Sequence, residues 1–222
     1  MFIKNLAGIA GARQAKGLVI IVDIMRAATV EAYAFGNGAK YIIPVATKEE
    51  AFAIKSNNPD VLLMGEENGY KIKDFDFGNS PSEIARGNIK DRILVHRTSS
   101  GTQGLASAIL AQYLIFGSFV TYSSILKYIM KTKHEKISIV SMDAEDTVFS
   151  NFLEMSLMGI DIDRKKAREA LYKNPGISWF LDKSKLEFPE EDIDYALDFD
   201  KFNFLCIAKR ENSQLIVTPV KI

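Results

Sequence analysis

Read for its apolar positions, the chain alternates short runs rich in Val, Ile and Leu with longer segments in which apolar residues recur at helical spacing. The apolar runs fall at residues 18–24, 40–45, 61–65, 92–96, 113–117 and 137–142, and helical patterns lie between them at 27–36, 47–56, 101–111, 118–130 and 145–158. From Leu18 to Val22 every residue is apolar, as expected of a strand whose sheet is covered by helices on both faces. The pattern predicts an α/β fold with three layers, α/β/α, around a mostly parallel central sheet. Beyond residue 160 the rhythm changes to two short helical patterns, 164–172 and 189–197, and two further strands, 204–209 and 214–220. Arg210, Glu211, Asn212 and Ser213 read as a tight reversal between those strands, so a C-terminal antiparallel hairpin is expected.

Length and charge narrow the class. A chain of 222 residues buries roughly 70% of its extended surface on folding, enough for a core without disulfides or metals as staples. The expectation is a single domain over 1–222, or two tightly fused lobes, 1–160 and 161–222. Lys plus Arg number 28 and Asp plus Glu number 28, interleaved throughout, which argues against a nucleic-acid partner. The apolar runs fall short of the ~20 residues that span a bilayer, so no membrane partner is expected. Cys206 is the only cysteine and the start of the chain lacks a signal-like apolar segment; a cytoplasmic protein is expected.

In open α/β sheets ligands bind beyond the carboxyl ends of strands, and three such ends here are polar. The first carries Asp23 and, three residues later, Arg26 at the start of a helix, a pairing suited to a metal beside an anion or, more simply, to a capped helix with a local ion pair. The third carries Gly65, Glu66 and Glu67, then the irregular stretch 66–81 ending in Asn79-Ser80-Pro81, a helix start with free N–H groups. The fourth runs into Arg97-Thr98-Ser99-Ser100-Gly101-Thr102, where hydroxyls and an unhindered backbone before a helix suit a phosphate. Cys206 reads as an inert core thiol, Trp179 as core, and His96 and His134 share no metal-ligand spacing. Asp74 and Asp76 imitate a phosphatase aspartate pair, but the preceding Tyr70-Lys71-Ile72-Lys73 is not the apolar strand such a pair requires.

Taken in order, Asp23-Ile24-Met25-Arg26-Ala27-Ala28-Thr29, Gly65-Glu66, Phe75-Asp76-Phe77-Gly78-Asn79-Ser80-Pro81, Thr98-Ser99-Ser100-Gly101-Thr102 and Gly117-Ser118-Phe119 resemble the 2-phosphosulfolactate phosphatase family. The likeness covers most of residues 18–160 and is looser beyond, marking a divergent member. It implies an α/β fold and Mg2+-dependent hydrolysis of a phosphomonoester on a small acid, a step in coenzyme M synthesis. By the same likeness Asp23 and Glu66 lie beside the metal, Arg26 beside the anion, Asn79 and Ser80 at a polar wall, and Thr98, Ser99, Ser100, Gly101 and Thr102 around the phosphate. Glu145 and Asp146 match an acidic pair after the sixth strand.

Two positions depart from the family pattern. Glu67 stands where the family usually has Arg, and the turn after the sixth strand reads Ser141-Met142-Asp143-Ala144 in place of a glycine-containing turn. A guanidinium lost from a dianion site removes charge-assisted hydrogen bonds worth roughly 1.5–3 kcal/mol each. Arg97 is placed to restore that charge. The reading is therefore a Mg2+-dependent phosphatase of a small phosphorylated acid in which Asp23, Arg26 and Glu66 are catalytic. The alternative is an anion-binding homologue weakened in catalysis. A homo-oligomer is compatible with either, and the partner expected in both is a small anionic molecule.

Overall fold

The computed structural model describes residues 1–212 and 214–222. The chain opens with β1 (Phe2–Ala7) and α1 (Gly8–Gln14), then β2 (Gly17–Val22), α2 (Ala27–Gly36), β3 (Tyr41–Pro44) and α3 (Lys48–Asn57). Next come β4 (Leu62–Glu67), β5 (Tyr70–Lys71), α4 (Pro81–Arg86), β6 (Ile93–Arg97), α5 (Gly101–Ser107), β7 (Ala111–Gly117), α6 (Tyr122–Thr132), β8 (Lys136–Ser141) and α7 (Asp146–Leu157). The remainder carries α8 (Arg164–Tyr172), α9 (Ser178–Leu181), α10 (Glu191–Ala196), β9 (Phe204–Glu211) and β10 (Gln214–Lys221).

The expected α/β architecture is present, with helices on both faces of one sheet in the order β1-β8-β2-β7-β9-β10-β3-β6-β4-β5. Alternation along β2 shows why its run is uniformly apolar. Val19 and Ile21 enter the core beneath α2 and α5, while Leu18, Ile20 and Val22 pack on the opposite face with residues of α6 and α7. Around β3, β4 and β6 the second face is closed by α3, through Ile43, Leu63 and Val95 against Ala51, Phe52 and Ile54. That helix starts on a full capping box, Thr47 accepting from the Glu50 N–H at 3.1 Å while the Glu50 carboxylate reaches back to the Thr47 N–H.

The hairpin of β9 and β10 is antiparallel as expected, but it does not lie at an edge. It sits in the middle of the sheet, between the parallel block β1-β8-β2-β7 and the parallel block β3-β6-β4. Its turn includes Ser213, which is outside the described residues. Three antiparallel joins, β7 with β9, β9 with β10 and β10 with β3, separate the blocks, so the two blocks run in opposite senses. The join of β10 to β3 rests on one register pair, Val217 with Ile42.

Several boundaries differ from the pattern reading for local reasons. β2 stops at Val22 because Asp23 turns its carboxylate onto the Ala27 N–H at 2.8 Å, starting the next helix. The helix expected over 101–111 ends at Ser107 and gives way to β7, and the one expected from 118 opens with a 3-10 turn, Phe119–Thr121. The apolar pattern does not predict β1 and α1: β1 is an edge strand with a mixed exposure pattern, and α1 is a short helix containing two glycines. In the irregular stretch after β4, Asp76 accepts the Leu63 N–H at 2.7 Å, so that aspartate is engaged with the backbone of β4. Gly65 must be glycine, since its φ is +137° and a Cβ there would lie 1.8 Å from the Arg97 carbonyl oxygen. Cys206 is buried in the core, and burial pushes its thiol well above the usual range.

Candidate active site

A cavity of about 400 Å³ opens where β2, β4, β6 and β8 end. Its lining takes Asp23 from β2, Glu66 from β4, Thr98, Ser99 and Ser100 from the turn after β6, and Asp143 and Glu145 from the turn after β8. Strand ends from both oppositely directed blocks thus line one cavity. A larger cleft of about 560 Å³, beside Pro44, Glu50 and Arg210, holds one acid and one base and no comparable cluster.

Asp23 is the focus of the charge. Its Oδ1 accepts the Ala27 N–H at 2.8 Å, and Gly101 packs so closely on Oδ2 that a Cβ there would come within 2.4 Å. Burial, then the carboxylate of Asp143, then those of Glu145 and Glu66, push the Asp23 carboxyl up to about 8 against the relief given by the Ala27 N–H. Glu145 is also raised, by burial and by Asp143. Asp146 lies beneath them, accepting the Ile24 N–H at 2.7 Å and the Asp143 N–H at 2.9 Å, and so ties the β2 and β8 turns together. Burial and the nearby Asp23 and Glu145 carboxylates raise it well above the ordinary aspartate value.

Glu66 is spent differently. Its Oε2 accepts the Gly69 N–H at 2.5 Å and the Ser99 hydroxyl at 3.1 Å, and its Oε1 accepts the Ser99 N–H, so it holds the two turns in register. Thr98 and Thr102 satisfy one another, the Thr102 N–H donating to Thr98 Oγ1 at 3.0 Å and the Thr98 N–H to Thr102 Oγ1 at 2.8 Å. The Ser100 side chain makes no cap bond to α5, and with the Ser99 and Thr102 N–H groups taken by Glu66 and Thr98, the N–H groups of Ser100 and Gly101 have no protein partner among the described residues, at a turn where Ser100 lines the cavity.

Arg26 is the only basic residue that lines the cavity among the described residues. Its partner is Asp192 rather than Asp23: Nη1 donates to Asp192 Oδ2 at 3.0 Å and to the Glu187 carbonyl at 2.6 Å. The guanidinium lies over Phe180 and Phe188, 5.4 and 4.9 Å from their ring centroids, and its Nε and Nη2 have no protein partner among the described residues. Asp192 Oδ1 accepts the Ser80 hydroxyl at 2.8 Å and the Ser82 N–H at 3.2 Å, so one buried carboxylate joins Arg26 to the start of α4.

Of the residues singled out from sequence, Asp23, Arg26, Glu66, Asn79, Thr98, Ser99 and Ser100 line the cavity. Ser80, Arg97, Gly101 and Thr102 do not: Ser80 turns to Asp192, Thr102 is fully buried against Thr98, and Gly101 backs Asp23. Arg97 donates to the Glu66 carbonyl at 2.6 Å and to the Ser99 hydroxyl at 3.3 Å and lies 3.5 Å from Glu67, behind residues that line the cavity. Glu67 also pairs with Lys48 at 2.8 Å and is absent from the lining. Trp179 is not core; it is 42% exposed and forms the mouth with Phe180 and Phe188. Sequence reasoning passed over that aromatic wall, Asp192 and the buried Glu31. Only Glu31 left a local signal, as the single charge in the otherwise apolar helix 27–36.

The family model described as 2-phosphosulpholactate phosphatase matches residues 6–211. A probable 2-phosphosulfolactate phosphatase of Bacillus subtilis is 33% identical over 185 residues, 80% of each chain. One from Caldanaerobacter subterraneus subsp. tengcongensis is 30% identical over 207 residues, covering 84% of this chain and 86% of that protein. With a match running through both strand blocks, the aromatic wall and Asp192, the chain belongs to the 2-phosphosulfolactate phosphatase family.

Proposed function

We propose that the protein hydrolyses the phosphomonoester of a small acid, as the names of its relatives indicate, and does so with Mg2+. The observation that carries the reading is the meeting of Asp23, Asp143 and Glu145 with Arg26 and the Thr98–Ser100 turn around one cavity. Among the described residues no three acidic, His or Cys side chains form a ready-made metal cage. Mg2+ does not need one, since it usually binds through one or two carboxylates while keeping water and phosphate ligands. A carboxyl held protonated up to about 8 by its neighbours is also the group that a hard cation relieves. Asp23 with Asp143 and Glu145 fits that role better than Asp23 with Glu66, three of whose roughly four acceptor positions are in use. Mg2+ held there supplies charge neutralisation at the phosphoryl oxygens.

The remaining work belongs to the chain. Arg26 offers Nε and Nη2 to the anion while Asp192 and the two phenyl faces fix its plane. The open backbone near Ser100 donates to phosphoryl oxygens as charge builds on them. Glu66 keeps the Ser99 turn in place without touching substrate. Glu67 faces Lys48 and Arg97, so it adds no repulsion inside the cavity, and this favours turnover over a binding-only homologue.

The test is phosphate release from a panel of small phosphomonoesters, 2-phosphosulfolactate included, after EDTA and after Mg2+ is restored. Mg2+-restored hydrolysis is expected; release indifferent to EDTA overturns the metal's role. Because Asp23 must lose its proton to bind a cation, Mg2+ affinity measured by calorimetry should tighten as pH rises toward 8, by up to about tenfold per unit. A second expectation concerns Gly101→Ala. The added methyl would meet Asp23 Oδ2 at 2.4 Å, Ala27 Cβ at 2.8 Å and Phe116 Cζ at 2.8 Å, displacing the carboxylate. Turnover should fall by about 100-fold or more with helix content retained by circular dichroism. Activity within about twofold of the original would mean that Asp23 is not held by this contact.

A further inference from the structure

Behind the cavity wall lies a polar chain to which the proposed chemistry assigns no role. Asn79 lines the cavity, and its Oδ1 is 3.2 Å from His96 Nε2. His96 Nδ1 is in turn 2.9 Å from Glu31 Oε1, and both His96 and Glu31 are fully buried between α2 and β6. Glu31 Oε2 is buried with no hydrogen-bond partner among the described residues.

That orphan oxygen decides where the protons are. An ionised Glu31 would leave a charged oxygen unsatisfied in an apolar interior, the costliest arrangement available. With a proton on Oε1, the carboxyl donates to Nδ1 and the orphan is only a neutral carbonyl oxygen. Burial, which raises the Glu31 carboxyl against the opposing effect of His96, acts in the same direction. A neutral His96 that accepts at Nδ1 carries its hydrogen on Nε2, and that N–H donates to Asn79 Oδ1. Proton transfer from Glu31 to His96 would leave Nε2–H in place, so the orientation of Asn79 holds in either state. Its carbonyl is turned inward, which leaves the NH2 as the group that Asn79 has to offer the cavity it lines.

We propose that Glu31 and His96 are positioning residues whose buried relay fixes the amide of Asn79 as a hydrogen-bond donor to the anionic group of the substrate. The inference rests on the reading of the cavity as an anion site and adds to it the residue that reads the anion's polarity. A donor-only wall accepts phosphoryl, sulfonate or carboxylate oxygens and rejects a hydroxyl presented as donor.

The test uses the full chain with inorganic phosphate as the probe, in the presence of Mg2+. Asn79→Asp keeps the shape but replaces the donor with a charge, and phosphate affinity by calorimetry should weaken by about tenfold or more. Glu31→Leu removes the partner of Nδ1 and should weaken phosphate by about fivefold, while Glu31→Gln, whose amide still donates to Nδ1, should recover most of the loss. Nitrogen NMR of His96 in the unmodified chain should show hydrogen on Nε2. A neutral His96 with its hydrogen on Nδ1 overturns the relay whatever the chain binds. If the unmodified chain binds phosphate and Asn79→Asp binds it equally well, the relay is overturned while the cavity stands. If the unmodified chain binds no phosphate, the cavity reading falls and the relay's role falls with it.

Discussion

Asp23→Asn should abolish most turnover and, in the same protein, raise thermal stability at pH 8 in the absence of metal. The first effect follows from removing the carboxylate nearest the proposed cation and anion, and a loss of about 1000-fold is expected. The second follows from linkage. The Asp23 carboxyl rises from its ordinary value of 3.8 to about 8 on folding. Between those values the unfolded chain has released a proton that the folded chain retains, so its contribution is fully present below about pH 4 and is lost as pH rises through about 8. Asp146, raised in the same direction by burial and by Asp23, adds to the slope. Asparagine keeps the carbonyl that accepts the Ala27 N–H and carries no charge to desolvate. Scanning calorimetry in EDTA at pH 5 and pH 8 should therefore show a Tm that falls with pH for the unmodified chain and a flatter profile for Asp23→Asn. Equal slopes in the two proteins would remove the basis for the raised carboxyl.

Asp192→Ala should be the most damaging single change to stability outside the apolar core. The side chain is fully buried and pairs with Arg26, which is itself 4% exposed. Removing it leaves a buried guanidinium short of its counter-charge and strips partners from the Ser80 hydroxyl and the Ser82 N–H. Breaking a buried pair on one side costs about 3–5 kcal/mol, and for a chain of this size that lowers Tm by about 10 °C. Substrate affinity should fall as well, since Arg26 loses the contact that fixes its plane. Asp192→Asn keeps an acceptor for Ser80 and Ser82 but not the charge, and should lie between the two. A Tm for Asp192→Ala within about 1 °C of the original would show that water replaces the carboxylate at no cost.

Much of the site was legible from strand ends. Asp23, Glu66 and Ser99 stand just past apolar runs, and a polar residue at the carboxyl end of a covered strand has few places to go but the rim of the sheet. What those residues do there was not legible. Strand position does not show that Glu66 accepts hydrogen bonds from Ser99 and Gly69, nor that Glu67 is paired with Lys48 and Arg97 outside the cavity lining. Asn79-Ser80-Pro81 reads as a helix start, and it is Ser80 that caps it, accepting the Glu83 N–H at 3.3 Å, but its hydroxyl proton goes to a residue more than a hundred positions away.

The sequence by itself determined the α/β alternation, the strands covered on both faces and the terminal strand pair, because periodicity records whether a segment is buried on one side or two. Tertiary structure alone decided that the hairpin enters the middle of the sheet, so that two blocks of opposite direction bring their carboxyl ends to one cavity. It alone brought Phe180, Phe188 and Asp192 onto Arg26. The physical reason is that a local pattern states how much of a segment is buried, whereas the partner it is buried against is chosen by packing between faces far apart in the chain.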